Sequence, residues 1–197
     1  MNLAPLDAGS EVETAIMEAT YRALCEHSYA NLTTEKIAAE TDLSKAALHY
    51  HYGTKEQLLV AFLEFLLAGF HETIEVESND RPAEQLEVLV DRLLRGPADH
   101  QDFQTAMLEF RAQVPYNESY RTRFNANDEH VRDAIATIVR RGIDQGQFQK
   151  VDPDRVARIL RILIDGARMR AVVLDREATL EAVSEIIDTY LSQALFD

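Results

Sequence analysis

Residues 34–55, TEKIAAETDLSKAALHYHYGTK, are the stretch that decides the fold of this chain of 197 residues. The stretch predicts two short helices, at residues 35–40 and 45–51, joined by a tight turn at residues 41–43. Ser44 supplies a hydroxyl N-cap for the second helix. A second helix that follows such a turn is typical of a helix-turn-helix, which lays it in the major groove of DNA.

The predicted second helix has side chains suited to that groove. Ala46 and Ala47 have small side chains that leave room on one side of the helix, and Leu48 is expected to pack inward on the opposite side. The remaining residues supply charge, hydrogen-bonding edges and ring faces: Lys45, His49, Tyr50 and His51. The rest of the chain indicates no chemistry, so the function depends on whether this helix meets DNA.

With its flanks, this stretch resembles the DNA-binding region of the TetR family of one-component transcription regulators. Members begin with a helix, continue with a helix-turn-helix, and enter a fourth helix at a Gly/Ser-Lys-Glu-x-Leu sequence. The same features occur here in order. The first helix is expected at residues 12–27, and the matching positions of the helix-turn-helix are residues 31–34, 37–38, 43–45 and 48–52. The entry to the fourth helix is residues 53–59, GTKEQLL. Asp42 replaces a common Gly and is expected to tolerate a left-handed backbone in the turn. Ala47 replaces a common Gly or Thr, and His49 replaces the usual Tyr.

The resemblance implies an all-α protein of two parts. Residues 1–53 would form a helix-turn-helix DNA-binding domain, and residues 54–197 a helical ligand-binding and dimerisation domain. The implied function is a ligand-responsive transcription regulator. It would act as a repressor that binds a pseudo-palindromic, double-stranded DNA operator as a dimer and is released by a small hydrophobic or amphiphilic effector. The alternative is a dimeric helical interaction protein that keeps the helix-turn-helix fold without binding DNA.

The family pattern also implies roles within the DNA-binding domain. Thr34 and Lys55 lie at helix N-termini where phosphates pass, and hydroxyl, ammonium and backbone N–H groups all suit phosphate. The residues that face or flank base edges are Ser44, Lys45, Ala46, His49, Tyr50 and His51. The alternative for His49 and His51 is that they are exposed helix residues with no role in DNA binding. Tyr52 is expected to pack beneath the reading helix, and Glu35 falls where some relatives carry a basic contact.

In the family, small molecules bind among the fourth to seventh helices and swing the fourth helix, so that the two DNA-binding heads no longer match successive grooves. The candidate lining residues are Phe62, Phe65, Phe70, Met107, Phe110, Arg111, Tyr120, Phe124 and Met169. Each residue type is also common in an ordinary core. The polar candidates are His71, His100, Glu109 and His130. Residues 108–111 resemble the body of regulators that include choline- and osmolyte-linked members, whereas the lack of Trp counts against a cation-binding aromatic cage.

Breaks in the sequence divide the rest of the chain into helices. The fourth helix starts with a capping box formed by Thr54 and Gln57, continues to about residue 76, and is apolar on nearly every side. Residues 78–81 interrupt it. Pro82 begins the fifth helix, which ends at residues 96–97. Later helices are expected at residues 99–114, 117–143, 153–174 and 179–196. Pro115 stops the first of them, Gly142 and Gly146 mark the frayed end of the second, and Asp152 is the N-cap of the third.

The eighth and ninth helices each carry a wide apolar stripe. The first stripe comprises Val156, Ile159, Leu160, Leu163, Ile164 and Ala167, and the second comprises Leu180, Val183, Ile186, Ile187, Tyr190, Leu191, Ala194 and Leu195. Two copies that meet across a twofold axis would bury both stripes in a four-helix bundle. The resemblance likewise implies a homodimer through these two helices. The alternative is that both helices complete the core of the monomer.

The charge of the chain is unusual for a DNA-binding protein. Its net charge is −14, with 34 acidic side chains against four Lys and 16 Arg, and residues 11–56 hold eight acidic and four basic side chains. Three interpretations are open. In the first, the acids cover the solvent-facing surfaces and leave a basic rim at Lys45 and Lys55. The composition also resembles that of a haloarchaeal member, from a cytoplasm of molar salt, in which phosphates contribute less to affinity. In the third interpretation the chain does not bind DNA.

No cofactor, metal site or enzymatic activity is expected. No histidine has a glutamate three residues before it, as di-iron bundles require, and the chain has no His-Glu-x-x-His, phosphate-binding glycine loop or Gly-x-Ser-x-Gly. A cytoplasmic protein is expected, because no run of 18 apolar residues and no N-terminal signal feature occurs. The single cysteine, Cys25, excludes an internal disulfide and is expected to serve packing.

Overall fold

The computed structural model describes residues 10–74, 81–96, 101–174, 176 and 178–196. Within these residues the chain forms α-helices and no strand, which confirms the expected all-α fold. The helices are α1 (Glu11–Asn31), α2 (Thr34–Ala39), α3 (Lys45–Tyr52), α4 (Lys55–Ile74), α5 (Pro82–Arg95), α6 (Gln101–Gln113), α7 (Glu118–Asp144), α8 (Pro153–Leu174) and α9 (Ala178–Leu191). A short 3₁₀ turn, Val114–Tyr116, follows α6, and a π-helical turn, Ser192–Phe196, follows α9.

Local capping signals in the sequence set most helix starts. The Ser44 hydroxyl accepts the backbone N–H of Ala47 at 3.2 Å, as predicted for the N-cap of α3. Thr54 and Gln57 form the predicted capping box, with both side-chain-to-backbone distances at 3.1 Å. Asp152 caps α8, whose bounds agree with the prediction. Pro82 begins α5 as predicted.

The first helix differs from its prediction at its C-terminal end. The sequence predicts an end at residue 27, whereas α1 continues to Asn31 across a break at Ser28 (φ 63°, ψ 163°). A positive φ on a residue other than glycine is strained. The break frees the backbone N–H of Tyr29, which donates to a carboxylate oxygen of Glu109 in α6. A contact between residues so far apart in sequence leaves no local signal.

The expectation of a left-handed backbone at Asp42 is wrong. Among the described residues other than glycine, a positive φ occurs at Ser28 alone. The turn is closed instead by the Thr41 hydroxyl, which accepts the backbone N–H of Leu43 at 3.3 Å. The turn therefore needs neither a glycine nor a left-handed residue.

Several sequence predictions lie outside the described residues. They concern the N-terminal residues 1–9, the end of the fourth helix near residue 76, the break at residues 78–80, Pro97, the start of the sixth helix at residue 99, and His100.

The chain divides into two compact units. The first contains residues Met1–Glu72 and His100–Asn125, and the second contains Thr73–Asp99 and Ala126–Asp197. The core of the first unit is formed by Ile16, Ala19, Ala23, Leu24, Leu32, Ile37, Leu48, Leu58, Leu59, Phe62, Leu63, Phe110 and Tyr120. The second unit buries Leu86, Leu89, Leu93, Val131, Ile135, Val139, Val156, Leu160, Ile164, Ile187 and Leu195. The predicted domain boundary between residues 53 and 54 stays a prediction.

Candidate nucleic-acid interface

The outer face of α3 is exposed over its whole length. Leu48 is 1% exposed and fixes the inner side of the helix in the core of the first unit. Ala47 and Tyr52 are half-buried, the remaining side chains of the helix are exposed, and Tyr50 reaches 87%. The exposed residues include all six that the sequence assigns to base edges: Ser44, Lys45, Ala46, His49, Tyr50 and His51. The helix thus presents these six side chains outward together.

His49 is held by its own helix end. Its Nδ1 lies 2.7 Å from the backbone carbonyl oxygen of Gly53. A carbonyl oxygen only accepts, so Nδ1 carries the hydrogen and Nε2 of the neutral ring is an acceptor. An acceptor at an exposed position suits an exocyclic amino group at a base edge in the major groove, on adenine or cytosine.

Lys45 is paired within the protein. Its Nζ donates to Oε1 of Glu35 in α2, and both side chains are exposed. The hydrogen bond from Lys45 is the main cause that lowers the pKa of Glu35 from 4.5 to about 2. The charge at the start of α3 is therefore shared between an ammonium and a carboxylate, a pairing that sequence analysis did not identify because ten residues separate the two.

The two predicted phosphate contacts occupy different environments. Thr34 is half-buried at the start of α2, whose N-cap is Thr33; the Thr33 hydroxyl accepts the backbone N–H of Lys36 at 3.3 Å. The Nζ of Lys55 donates to the carbonyl oxygen of Leu32 and lies 5.7 Å from the ring centroid of Tyr29. Burial lowers the pKa of Lys55. The ammonium of Lys55 thus contacts the protein itself.

Behind the exposed face, the end of α1 is tied to α6 and α7 by rings and polar atoms. The Tyr29 ring packs edge-to-face on Phe110 at a centroid distance of 5.0 Å, and its hydroxyl lies 3.2 Å from that of Tyr120. Burial and the Tyr29 hydroxyl raise the pKa of Tyr120. The Asn117 amide donates to Glu56 of α4 at 2.7 Å. Sequence analysis missed these partners, since no short-range spacing relates them.

Six of the nine ligand candidates lie together in the first unit. Phe62, Phe110 and Tyr120 are at most 1% exposed, and Phe110 is in ring contact with both others at centroid distances of 6.3 and 5.4 Å. Three more pack half-buried against the same core: Phe65, Met107 and Phe124.

Of the other three ligand candidates, two lie in the first unit without being part of this buried group, and one lies in the second unit. Phe70 is half-buried in α4, and Arg111 is exposed with its guanidinium 5.7 Å from the Phe124 ring centroid. Met169 lies on α8 in the second unit and is 52% exposed. One surface cleft runs along α7 and α8 around Arg161 and another lies beside the turn at Asp42, and neither of these is lined by a ligand candidate.

Of the polar ligand candidates, Glu109 binds the backbone of Tyr29, and His71 and His130 each have an interaction partner. In the described part of the chain, no group of three or more His, Cys, Asp or Glu residues is placed to hold a metal ion. None of the described helices is both long enough and apolar enough to cross a membrane.

Two family models match the chain. Residues 16–62 match the model of bacterial regulatory proteins of the tetR family, and residues 82–195 match that of the BetI-type transcriptional repressor, C-terminal. The HTH-type transcriptional repressor AcnR of Corynebacterium glutamicum is 25% identical over 189 residues, which are 95% of each chain.

Two solved structures share the fold. A TetR transcription regulator from Haloarcula marismortui has a TM-score of 0.90 and 45% identity, covering 95% of this chain and 100% of that chain. A transcriptional regulator from Saccharomonospora viridis in complex with choline has a TM-score of 0.82 and 25% identity, covering 95% of this chain and 98% of that chain. The similarity therefore extends over both compact units.

Proposed function

Because this chain belongs to the TetR family of DNA-binding transcription regulators, we propose that it is a repressor that binds its operator as a homodimer. Binding of operator DNA is the activity of the family. The operator, in our proposal, is a pseudo-palindrome, and a small hydrophobic or amphiphilic effector releases the protein from it. The regulator acts in the cytoplasm, where the DNA is, and has no catalytic role.

The outward face of α3 carries the proposal. Its side chains offer a donor at Lys45, an acceptor at His49 and an exposed ring at Tyr50, all on a helix that fits the major groove. Thr34 and Lys55 are proposed to lie near the phosphates, although Lys55 must first leave the Leu32 carbonyl.

The homodimer is supported by an apolar face of α8 that differs from the predicted stripe. Four members of that stripe, Val156, Leu160, Ile164 and Ala167, are buried in the chain's own core. The face that remains exposed carries Ile162, Met169 and Val173, whose side chains are 72%, 52% and 58% exposed. Gly166 lies on the same face, and a Cβ added there would meet no atom within 4 Å. Apolar residues at this helical spacing form one continuous face. We assign it to the second copy, so Met169 is a candidate for the dimer interface.

Charge supports pairing α8 of one copy with α9 of the other. Helix α9 has the exposed acids Glu181, Glu185 and Asp188 and no basic residue, while α8 has the exposed Arg155 and Arg158. A twofold axis that sets α8 against the partner's α9 places opposite charges around the apolar face, which also includes Ile186 at 53% exposure.

The effector class is supported by the similarity to a regulator that binds choline. In this chain Phe110 and Tyr120 are buried rings in contact with each other, and Tyr29 joins them to a carboxylate: its ring packs on Phe110 and its backbone N–H donates to Glu109. Rings and a carboxylate together suit an amphiphilic cation. A cation that binds the Glu109 carboxylate competes with the backbone N–H of Tyr29 for it. The effector therefore binds more tightly when the contact between α1 and Glu109 is broken than when it is intact.

Fluorescence anisotropy with the DNA upstream of the gene tests the DNA-binding part of the proposal. We expect saturable binding, with two chains per site, and weaker binding to a scrambled duplex. Failure to bind at any salt concentration, with a dimer in sedimentation, would instead favour a helical interaction protein.

The effector part is tested by adding choline to the operator complex of the native protein and of Glu109→Gln. Glutamine keeps an acceptor for the Tyr29 N–H but lacks the charge that attracts a cation. We expect choline to release the native protein and not the variant. The control Glu129→Gln makes the same change at an exposed glutamate of α7 and should behave as the native protein does. Equal release of Glu109→Gln would contradict the assignment.

A further inference from the structure

The four basic side chains of the DNA-binding head, residues 10–56, are all engaged by oxygen atoms of the protein. Arg22 donates to the carbonyl oxygen of Glu40 at 2.7 Å and pairs with its carboxylate at 3.4 Å. Lys36 donates to the carbonyl oxygen of Asn31 at 2.9 Å. The two lysines of the candidate interface donate to Glu35 and to the Leu32 carbonyl: Lys45 and Lys55.

This arrangement differs from that of an ordinary DNA-binding protein. Free Lys and Arg side chains neutralise phosphates and release counterions, which supplies most non-specific affinity and makes it steeply salt-dependent. Here residues 11–56 hold eight acidic side chains against four basic ones, and each basic group must leave a protein oxygen before it reaches a phosphate. The head therefore gains little from the DNA backbone.

We propose that Glu35 is a specificity-determining residue: its carboxylate, paired with Lys45 on the exposed DNA-facing surface, suppresses binding to DNA of any sequence and leaves discrimination to base-edge contacts. The inference rests on the proposed DNA-binding function. Glu35 acts in two ways. It holds Lys45 Nζ at the start of α3, and it sets a negative charge opposite the phosphates of every duplex.

Glu35 is suited to this role because of its position and partner. Other head carboxylates are engaged away from Lys45: Glu13 in the capping box of α1, Glu40 with Arg22, and Glu56 with Asn117. Glu35 alone among the described head acids pairs with a side chain assigned to the base edges. Its carboxylate is ionised at neutral pH, and the hydrogen bond from Lys45 lowers its pKa from 4.5 to about 2.

The test compares Glu35→Gln with Glu129→Gln, which makes the same change of charge on an exposed residue of α7. Dissociation constants are measured by fluorescence anisotropy for the operator duplex and a scrambled duplex, from about 0.1 M to about 2 M KCl. Circular dichroism and sedimentation establish that each variant is folded and dimeric. Glu35→Ala is a second variant, which removes the carboxylate without introducing the side-chain amide of glutamine.

For the native protein we expect a slope of log K against log salt shallower than about −2, because few ammonium–phosphate contacts form. Glu35→Gln is expected to bind the scrambled duplex about tenfold more tightly and to steepen the slope by about 2, as one freed ammonium in each of the two protomers reaches a phosphate. Its operator affinity rises less, so the ratio of the two affinities falls. Glu35→Ala should change in the same direction.

Two results would overturn the inference, and they differ in meaning. If the native protein binds the operator but Glu35→Gln matches Glu129→Gln on both duplexes, Glu35 does not set specificity and the regulator assignment stands. If the native dimer binds no duplex at any salt, both the inference and the proposed function fail.

Discussion

Two exposed faces of this chain differ in what they present to water. The face of α3 is polar, with Tyr50 87% exposed and the charge of Lys45 already balanced by Glu35. The exposed face of α8 carries apolar side chains, with Ile162 72% and Val173 58% exposed. Polar groups on the first face remain hydrated in the free protein, whereas apolar groups on the second gain free energy when covered.

The comparison indicates two kinds of partner. A polar face is stable when it is hydrated, so it suits a partner that binds reversibly, as operator DNA does. An apolar face that remains exposed needs a permanent partner, which we propose is a second copy of the chain. The two faces depend on each other, because two copies of α3 reach two half-sites only when the apolar faces hold them together.

The largest effect is expected from breaking the apolar face. Ile162→Asp with Val173→Asp places two carboxylates where the second copy packs, so sedimentation should report a monomer. Operator affinity should fall about a thousandfold, because a monomer loses the second, effectively intramolecular binding event. Val88→Asp is the matched control, since Val88 is an exposed valine on α5. A double variant that stays dimeric would place the interface elsewhere.

The second effect concerns the polar face. Lys45→Ala with His49→Ala should weaken operator binding about a hundredfold, because two base-edge contacts of about 1–3 kcal/mol each are lost. Helix content and dimer mass should stay native. Lys150→Ala, which removes an exposed lysine outside both faces, should bind as the native protein does. Retained operator affinity in the double variant would show that another surface reads the bases.

Sequence alone predicted the polar face better than the apolar one, for a physical reason. Ser44, Leu48 and the exposed residues between them follow from capping and helical spacing, which act within a few positions. Helix α8 has apolar residues on two sides, and spacing does not reveal that Leu160 is buried while Ile162 is exposed.

The contacts behind α3 are beyond sequence analysis for the same reason. The bond from Tyr29 to Glu109 joins residues 80 positions apart and depends on the unusual backbone of Ser28. The pairing of Lys45 with Glu35 is hidden in the same way, because ten residues separate the two; from the sequence, a basic rim at Lys45 and Lys55 was one of three open interpretations of the charge.

A third, smaller effect tests the support beneath the polar face. Glu109→Ala leaves the Tyr29 N–H without its acceptor and should lower the free energy of unfolding by about 1–3 kcal/mol. Urea denaturation followed by circular dichroism measures the change, with Glu129→Ala as the exposed control. A loss no larger than that of the control would mean that the end of α1 holds its break without Glu109.

The smallest effect concerns the Glu35–Lys45 pair itself. The pKa of Glu35 is about 2 against an ordinary value of 4.5, so the pair stabilises the fold above about pH 4.5 and loses this contribution as the pH falls toward 2. In Lys45→Ala the pKa of Glu35 should return toward 4.5, as followed by carboxyl carbon NMR. Titration of Glu35 near 4.5 in the native protein would show that the pair does not persist in solution.

Hydroxyl-radical footprinting of the native protein on the DNA upstream of its gene tests most directly whether the two protomers each place α3 at one half-site of an operator. The account predicts two protected half-sites, related by an approximate dyad and about 10 base pairs apart from centre to centre. Absence of any sequence-specific protection from low to molar salt, with the dimer intact, would contradict it.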